Sequence, residues 1–158
     1  KFTDVLFHVE KPKESAYKIE GLEVASASGG ASEEGTKEVE VVDIKALLAM
    51  GDIGHGEKVF KKCTACHQIA AGGKNMIGPN LWNVIGRKAG VVADYKYSKA
   101  MIAYGKEWTY EEMNSYLIKP QAYVKGTKMA FAGLRKEKDR ASVILYMNSK
   151  SDNPKPLP

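Results

Sequence analysis

The five residues Cys63-Thr64-Ala65-Cys66-His67 constrain this chain more than any other stretch of it. Two thiols three positions apart, with an imidazole directly after the second, fit the attachment pattern of a c-type haem. The spacing has a chemical reason. The thiols can add across the two vinyl groups of one porphyrin while the adjacent imidazole reaches the iron from the same segment. Other chemistries share the Cys-x-x-Cys spacing: a redox dithiol, half of a zinc site, or a local disulfide. A thioredoxin-like dithiol calls for a βαβ pattern around the motif, whereas these flanks read as a helix followed by a Gly-rich loop. Zinc would need two further ligands at comparable spacing. Cys63 and Cys66 are the only cysteines, and His8 and His55, separated from the motif by breaks in the local pattern, are expected to be surface residues.

The length of 158 residues suits one domain with some chain to spare for a tail or linker. Charge divides unevenly. Residues 1–50 contain six Lys and ten Asp or Glu, a net of −4, while residues 51–158 contain eighteen Lys or Arg and nine Asp or Glu, a net of +9. A basic part behind an acidic leader points to an acidic partner surface met through electrostatic steering. The basic residues are scattered and no nucleic-acid motif accompanies them, so no nucleic-acid partner is expected. No run of about eighteen apolar residues occurs, so nothing in this sequence reads as a bilayer-spanning helix. The chain starts at Lys1 without a basic-then-apolar signal pattern, and an upstream segment is expected to have been removed or left out.

In order along the chain, residues 1–50 read as an acidic tether. Gly21 to Glu38 is a solvated linker by composition, and Asp43 to Met50 can form a short helix that packs against the domain. Residues 51–150 read as that domain. Asp52 is a candidate N-cap for a helix leading into the cysteine motif, with Val59 and Phe60 on one face. Gly56 lies on the same face; a helical Gly costs about 1 kcal/mol relative to Ala, which suggests that another backbone comes close there. Loop signals dominate after His67, at Gly72-Gly73, Gly78-Pro79-Asn80, Gly86 and Gly90. Thr109 to Glu112 is a capping box opening a helix that Pro120 stops, with Met113, Tyr116 and Leu117 on its inner face. A last helix is predicted from Lys136 to Asn148, and residues 151–158 read as a polar tail. The fold class is therefore all-α, with short helices, long Gly-containing loops and no strand pattern. About a hundred residues so arranged bury little continuous core unaided, and a large apolar prosthetic group would supply it.

Gly56-Glu57-Lys58-Val59-Phe60, the Cys63 to His67 motif, Gly78-Pro79-Asn80-Leu81, Gly86 to Gly90, Tyr97-Ser98, Trp108, Tyr116-Leu117, Pro120, Gly126-Thr127-Lys128-Met129, Phe131-Ala132-Gly133 and Arg140 to Tyr146 occur in order and cover nearly the whole domain. On these residues the domain resembles the class I mono-haem cytochromes c, the mitochondrial and bacterial c2-like group. The resemblance implies the cytochrome c fold, one covalent haem c on Cys63 and Cys66, and His67 as an iron ligand. Six methionines are present, and the residues alone do not choose among Met50, Met76, Met101, Met113, Met129 and Met147. The match of Gly-Thr-Lys-Met selects Met129 as the second ligand, with Thr127 and Lys128 beside it.

The resemblance also implies that the Pro79 carbonyl accepts the His67 Nδ1 proton, that Arg87, Tyr97 and Trp108 surround the haem propionates, that Tyr116 lies close to the methionine sulfur, and that Phe131 stands at the haem edge. On the residues alone, Tyr97, Trp108 and Tyr116 read as ordinary core aromatics with a satisfied polar atom. Gly56 and Phe60 match the family's crossing of first and last helices against Val143 and Tyr146. Met101 departs from the pattern, standing where many members carry Asn near an internal water.

The leader is most like that of bacterial membrane-anchored cytochromes c, in which a transmembrane helix and a spacer precede the haem domain. By this likeness the protein is a monomeric one-electron carrier, not an enzyme, on the periplasmic side of a bacterial inner membrane. Its implied partners are a bc1-type complex and a haem-copper terminal oxidase of a respiratory chain, docked through Lys62, Lys74, Lys88, Lys119, Lys125 and Lys128. The alternative keeps the haem but frees Met129, giving a peroxidase or gas-binding site.

Overall fold

Short polar side chains start most of the helices in this computed structural model, which describes residues 43–158. Asp43 accepts from the Lys45 and Ala46 amides and opens α1 (Ile44–Ala49). Asp52 accepts from His55 N at 2.6 Å and opens α2 (Ile53–Phe60). Ser98 opens α3 (Lys99–Tyr104) through Met101 N, and Thr109 opens α4 (Tyr110–Ile118) through Glu112 N. Each bond satisfies an amide that the first turn leaves without a partner. Pro120 both ends α4 and, at the first position, begins α5 (Pro120–Tyr123), since its missing N–H and fixed φ suit a helix start. The last helix, α6 (Glu137–Ser149), has no side-chain cap but carries Glu137 and Asp139 in its first turn, against the positive end of the helix dipole. Among the described residues the extended pairing is limited to one antiparallel bridge between Lys88 and Glu107.

Helices α2 and α6 cross at Gly56. A Cβ on that residue would run into the Ser142 carbonyl and the Tyr146 side chain, so the glycine permits backbone contact. Phe60 and Tyr146 pack beside the crossing, with ring centroids 5.4 Å apart. Val143, next to the closest approach at Ser142, is fully buried and also lines the cavity that His67 faces. Helix α1 packs on α6 and buries Leu47 and Leu48 almost completely. Arg140 is also buried, its guanidinium donating to Asn114 Oδ1 at 2.7 Å and to the Leu134 and Arg135 carbonyls.

Three features differ from the sequence reading. Helix α3 was not expected, because six residues are too few to show a period; its limits are instead the Ser98 cap and Gly105 at φ 51°. The capping box is half formed: Thr109 caps, but the Glu112 carboxylate turns to Tyr104, Tyr123 and Lys106. The segment after α6 is tied to the body of the protein by side-chain hydrogen bonds. The predicted linker over Gly21 to Glu38 and His8 lie outside the described residues.

Candidate functional site

The chain leaves α2 in continued turns. Cys63 N donates to Phe60 O, and both Cys66 N and His67 N donate to Cys63 O, at 3.0 and 2.9 Å. A turn of this pitch puts positions i, i+3 and i+4 on one side, so Cys63, Cys66 and His67 all face one cavity of about 300 Å³. The two cysteines are not joined to each other in a disulfide. Burial pushes the Cys63 thiol up to about 11, with the Lys62 ammonium opposing and Cys66 adding to the rise. A redox dithiol needs one thiol shifted the other way, and Cys63 is not that thiol. Among the described residues no group of three His, Cys, Asp or Glu side chains is placed to hold a metal ion by itself, so zinc also lacks a ligand set.

His67 is fixed by its neighbours. Its Nδ1 lies 2.7 Å from Pro79 O, and because a carbonyl only accepts, Nδ1 carries the proton and Nε2 keeps its lone pair. Burial lowers the imidazole's pKa; the Pro79 bond opposes this and the Arg87 charge reinforces it. The ring is thus held neutral, the form that binds a metal. Gly78 makes room for it: a Cβ there would meet ring atoms Nδ1 and Nε2 at 2.6 and 2.7 Å. The loop is anchored by Gly78 N donating to Cys66 O at 2.8 Å.

Met129 reaches the same cavity from the loop that follows α5. Tyr116 on α4 donates its hydroxyl to Met129 Sδ at 3.2 Å and lies 3.3 Å from Thr127 Oγ1, while Met129 N donates to that same oxygen. Met50 and Met76 are well exposed, and Met101, Met113 and Met147 line the cavity as buried side chains. Only the Met129 sulfur accepts a hydrogen bond among the described residues.

The polar end of the cavity holds Arg87, Tyr97 and Trp108. Arg87 donates from its two terminal nitrogens to Trp82 O at 2.8 Å and Asn80 O at 3.0 Å. Burial lowers its pKa, against the pull of Tyr97; burial raises that of Tyr97, which Arg87 in turn draws back down. The Trp108 ring packs against Tyr116, centroids 4.8 Å apart and tilted by 46°. Phe131, Thr127 and Lys128 complete the wall, so all twelve residues singled out from the sequence converge here. Among the described residues no Asp or Glu lines it. Two thiols, a neutral imidazole, a thioether and a half-buried guanidinium in an apolar hollow form a donor set that fits a covalently held haem with carboxylates to neutralise.

Of the six candidate docking lysines, Lys62 and Lys128 stand on the cavity wall; Lys74, Lys88, Lys119 and Lys125 are exposed elsewhere. His55, expected at the surface, is partly exposed and pairs with Asp139 at 2.8 Å, joining α2 to α6. Tyr95, Ile77 and Val84 line the cavity without having been singled out. Tyr95 donates to Ile77 O at 2.7 Å, a pairing across a loop that leaves no periodic trace.

Comparison with known proteins agrees with this geometry. The family model for cytochrome c matches residues 53–151. A cytochrome c homolog from Bradyrhizobium diazoefficiens is 36% identical over 156 residues, spanning 98% of this chain and 83% of that one. The cytochrome c-type cyt cy of Rhodobacter capsulatus is 46% identical over 109 residues, 68% of this chain and 54% of its own length; the chain thus matches about half of that relative. Among solved structures, cytochrome cH from Methylobacterium extorquens aligns with a TM-score of 0.60 at 40% identity, covering 63% of this chain and all of that one.

Proposed function

Since this chain belongs to the cytochrome c family, as a class I mono-haem electron-transfer protein with covalent haem c, we propose that it shuttles electrons from a bc1-type complex to a haem-copper terminal oxidase in a respiratory chain. In this reading Cys63 and Cys66 hold the haem, and His67 and Met129 are its two iron ligands. The haem supplies a one-electron couple, and paired His and Met ligation raises its potential. The observation that carries the reading is the pair of hydrogen bonds fixing the candidate ligands: His67 Nδ1 to Pro79 O at 2.7 Å and Tyr116 hydroxyl to Met129 Sδ at 3.2 Å. Side chains held in place from outside the coordination sphere keep the same ligands in both oxidation states, so electron exchange requires little rearrangement.

The peroxidase or gas-binding alternative is not favoured. It needs Met129 to leave and an acid-base group to take over, but Met129 is pinned at its sulfur and its amide and, among the described residues, no carboxylate lines the cavity. Lys62 and Lys128 at the cavity wall and the net +9 of residues 51–158 support docking on acidic partner surfaces, with Lys74, Lys88, Lys119 and Lys125 extending the basic field. The reading also has the protein work on the periplasmic side of a bacterial inner membrane, held there by a segment upstream of these residues.

Two measurements test it. Turnover of a haem-copper oxidase with the holoprotein should fall steeply as salt rises from low to physiological strength; a flat response refutes lysine docking. The oxidised holoprotein should show the near-infrared methionine-to-iron band, and its loss on Met129→Ala but not on Met101→Leu identifies the ligand.

A further inference from the structure

Residues 150–155 fold back over the loop that carries Trp82 and Asn83. Asp152 Oδ2 accepts from Trp82 Nε1 at 2.9 Å and from Asn83 Nδ2 at 2.6 Å. Asn83 Oδ1 in turn accepts from Ser151 Oγ at 2.6 Å and Asp152 N at 2.8 Å, and Asn83 N donates to Lys150 O. Every polar group of Asn83 that faces the segment is therefore used, which offsets the cost of its left-handed backbone, φ 57°. The far end is tied down as well. Lys155 N donates to Asn148 Oδ1, and Lys155 O accepts from Asn148 Nδ2 and the Tyr110 hydroxyl, each at 2.9 Å. Between these ties the Lys155 side chain lies on Gly86, where any Cβ would strike it.

The loop held in this way is also the one that holds Arg87. Trp82 uses its indole N–H on Asp152 and its carbonyl on the Arg87 guanidinium, so one residue links the segment to the cavity wall. A guanidinium is a planar fork whose direction follows the acceptors it meets. Half-buried and, among the described residues, with no carboxylate beside it, Arg87 takes its direction from the Trp82 and Asn80 carbonyls.

We infer that the C-terminal segment is a clasp that positions Arg87, with Asp152 and Asn83 as its positioning residues, and thereby tunes the potential of the bound haem. The inference rests on the proposed function, together with the placement of the haem carboxylates at Arg87 that the family resemblance implies. A cation fixed near the haem favours the ferrous state, which carries one positive charge fewer. The Coulomb interaction falls inversely with distance, so a cation that recedes from the haem favours the ferrous state less. Opening the clasp therefore lowers the potential.

The test is a redox titration of the holoprotein carrying Asn83→Gly, Asp152→Ala, Leu157→Ala or Arg87→Gln, with NMR of the Arg87 guanidinium protons alongside. Glycine accepts φ 57° freely, so Asn83→Gly removes the side-chain ties without backbone strain. Leu157 is exposed, outside the clasp, and serves as the control. At fixed ambient potential, Asn83→Gly and Asp152→Ala should each raise the ratio of oxidised to reduced protein by at least about twofold. The shift should not exceed that of Arg87→Gln, the guanidinium protons should exchange faster, and Leu157→Ala should match the parent. If Arg87→Gln moves the potential and the clasp variants do not, the clasp is wrong and the reading of Arg87 stands. If Arg87→Gln leaves the potential unchanged, both fail. A shift of equal size in Leu157→Ala would mark general loosening and overturn the clasp.

Discussion

Placing alanine at Gly56 sets two effects of opposite sign against each other, and the structure says which wins. Glycine inside a helix costs about 1 kcal/mol relative to alanine, so by propensity alone the change would stabilise α2. The added methyl, however, would lie against the Ser142 carbonyl, 2.6 Å from the carbonyl carbon and 2.8 Å from Tyr146 Cβ. Non-bonded carbons rest about 3.5–4.0 Å apart, so the two helices must part by about 1 Å. The obstruction is backbone, which has no rotamer to escape into. Parting by that much forfeits about a quarter to a half of each contact across the seam, which includes the packing of Phe60 on Tyr146. Overpacking of this kind costs about 1–3 kcal/mol, and a backbone obstruction puts Gly56→Ala at the upper end. Subtracting the propensity gain leaves a net loss of about 2 kcal/mol, or about 8 °C in Tm for a domain of this size. Gly54 supplies the internal comparison. It stands two residues earlier in the same helix, exposed, and a Cβ there would touch only Asp52 Oδ1 at 3.4 Å. Gly54→Ala should raise stability by about 0.5 kcal/mol. Thermal denaturation followed by circular dichroism reads both, and shifts of the same sign in the two variants would refute the close crossing.

Tyr116→Phe removes the donor to Met129 Sδ and leaves Thr127 Oγ1 without that partner. With its lone pair released, the thioether should bind ferric iron better; the potential should fall while the near-infrared band persists, and stability should drop by about 1 kcal/mol. An unchanged potential in a redox titration would remove the hydrogen bond from the account. Glu112 lies below the ordinary carboxyl range: burial pushes its pKa up, but the bonds from Lys106, Tyr104 and Tyr123 together outweigh it. A depressed folded-state pKa contributes stability that is present above the ordinary value of 4.5 and is lost as pH falls through the folded value. Glu112→Gln should therefore cost about 1–2 kcal/mol near neutral pH. Denaturant titrations should find the gap to the parent closing as the solution is acidified below pH 4.5; a gap independent of pH would show that the carboxylate charge contributes nothing.

Much of the fold is legible wherever its cause is local. Asp52 and Thr109 cap the helices they were expected to cap, because a cap bond joins residues three apart in sequence. Gly56 signals a close approach because glycine at a buried helical position is costly unless something occupies the space. Less local causes leave weaker traces. Helix α3 escapes a periodicity argument, being six residues long. Glu112 satisfies the capping-box pattern, yet its carboxylate finds better partners in Tyr104, Tyr123 and Lys106, two of which come from other elements. At the helix crossing Tyr146 stands where the family match put it, while the closest approach to Gly56 comes from Ser142, the neighbour of Val143, because a backbone carbonyl contact leaves no side-chain trace in the sequence.

What the sequence determined by itself is the covalent chemistry. Cys63, Cys66 and His67 share one turn, so their spacing alone aims two thiols and an imidazole at one group, and no distant residue is needed to read that. Tertiary structure decided everything that joins residues far apart. It made Pro79 and Tyr116, the neighbours that the resemblance implied for His67 and Met129, into hydrogen-bond partners, and turned a polar C-terminal stretch into a brace on the loop that aims Arg87. Hydrogen bonds across 12, 13 and 70 positions of chain follow no sequence period, and they exist only once packing has brought their ends together.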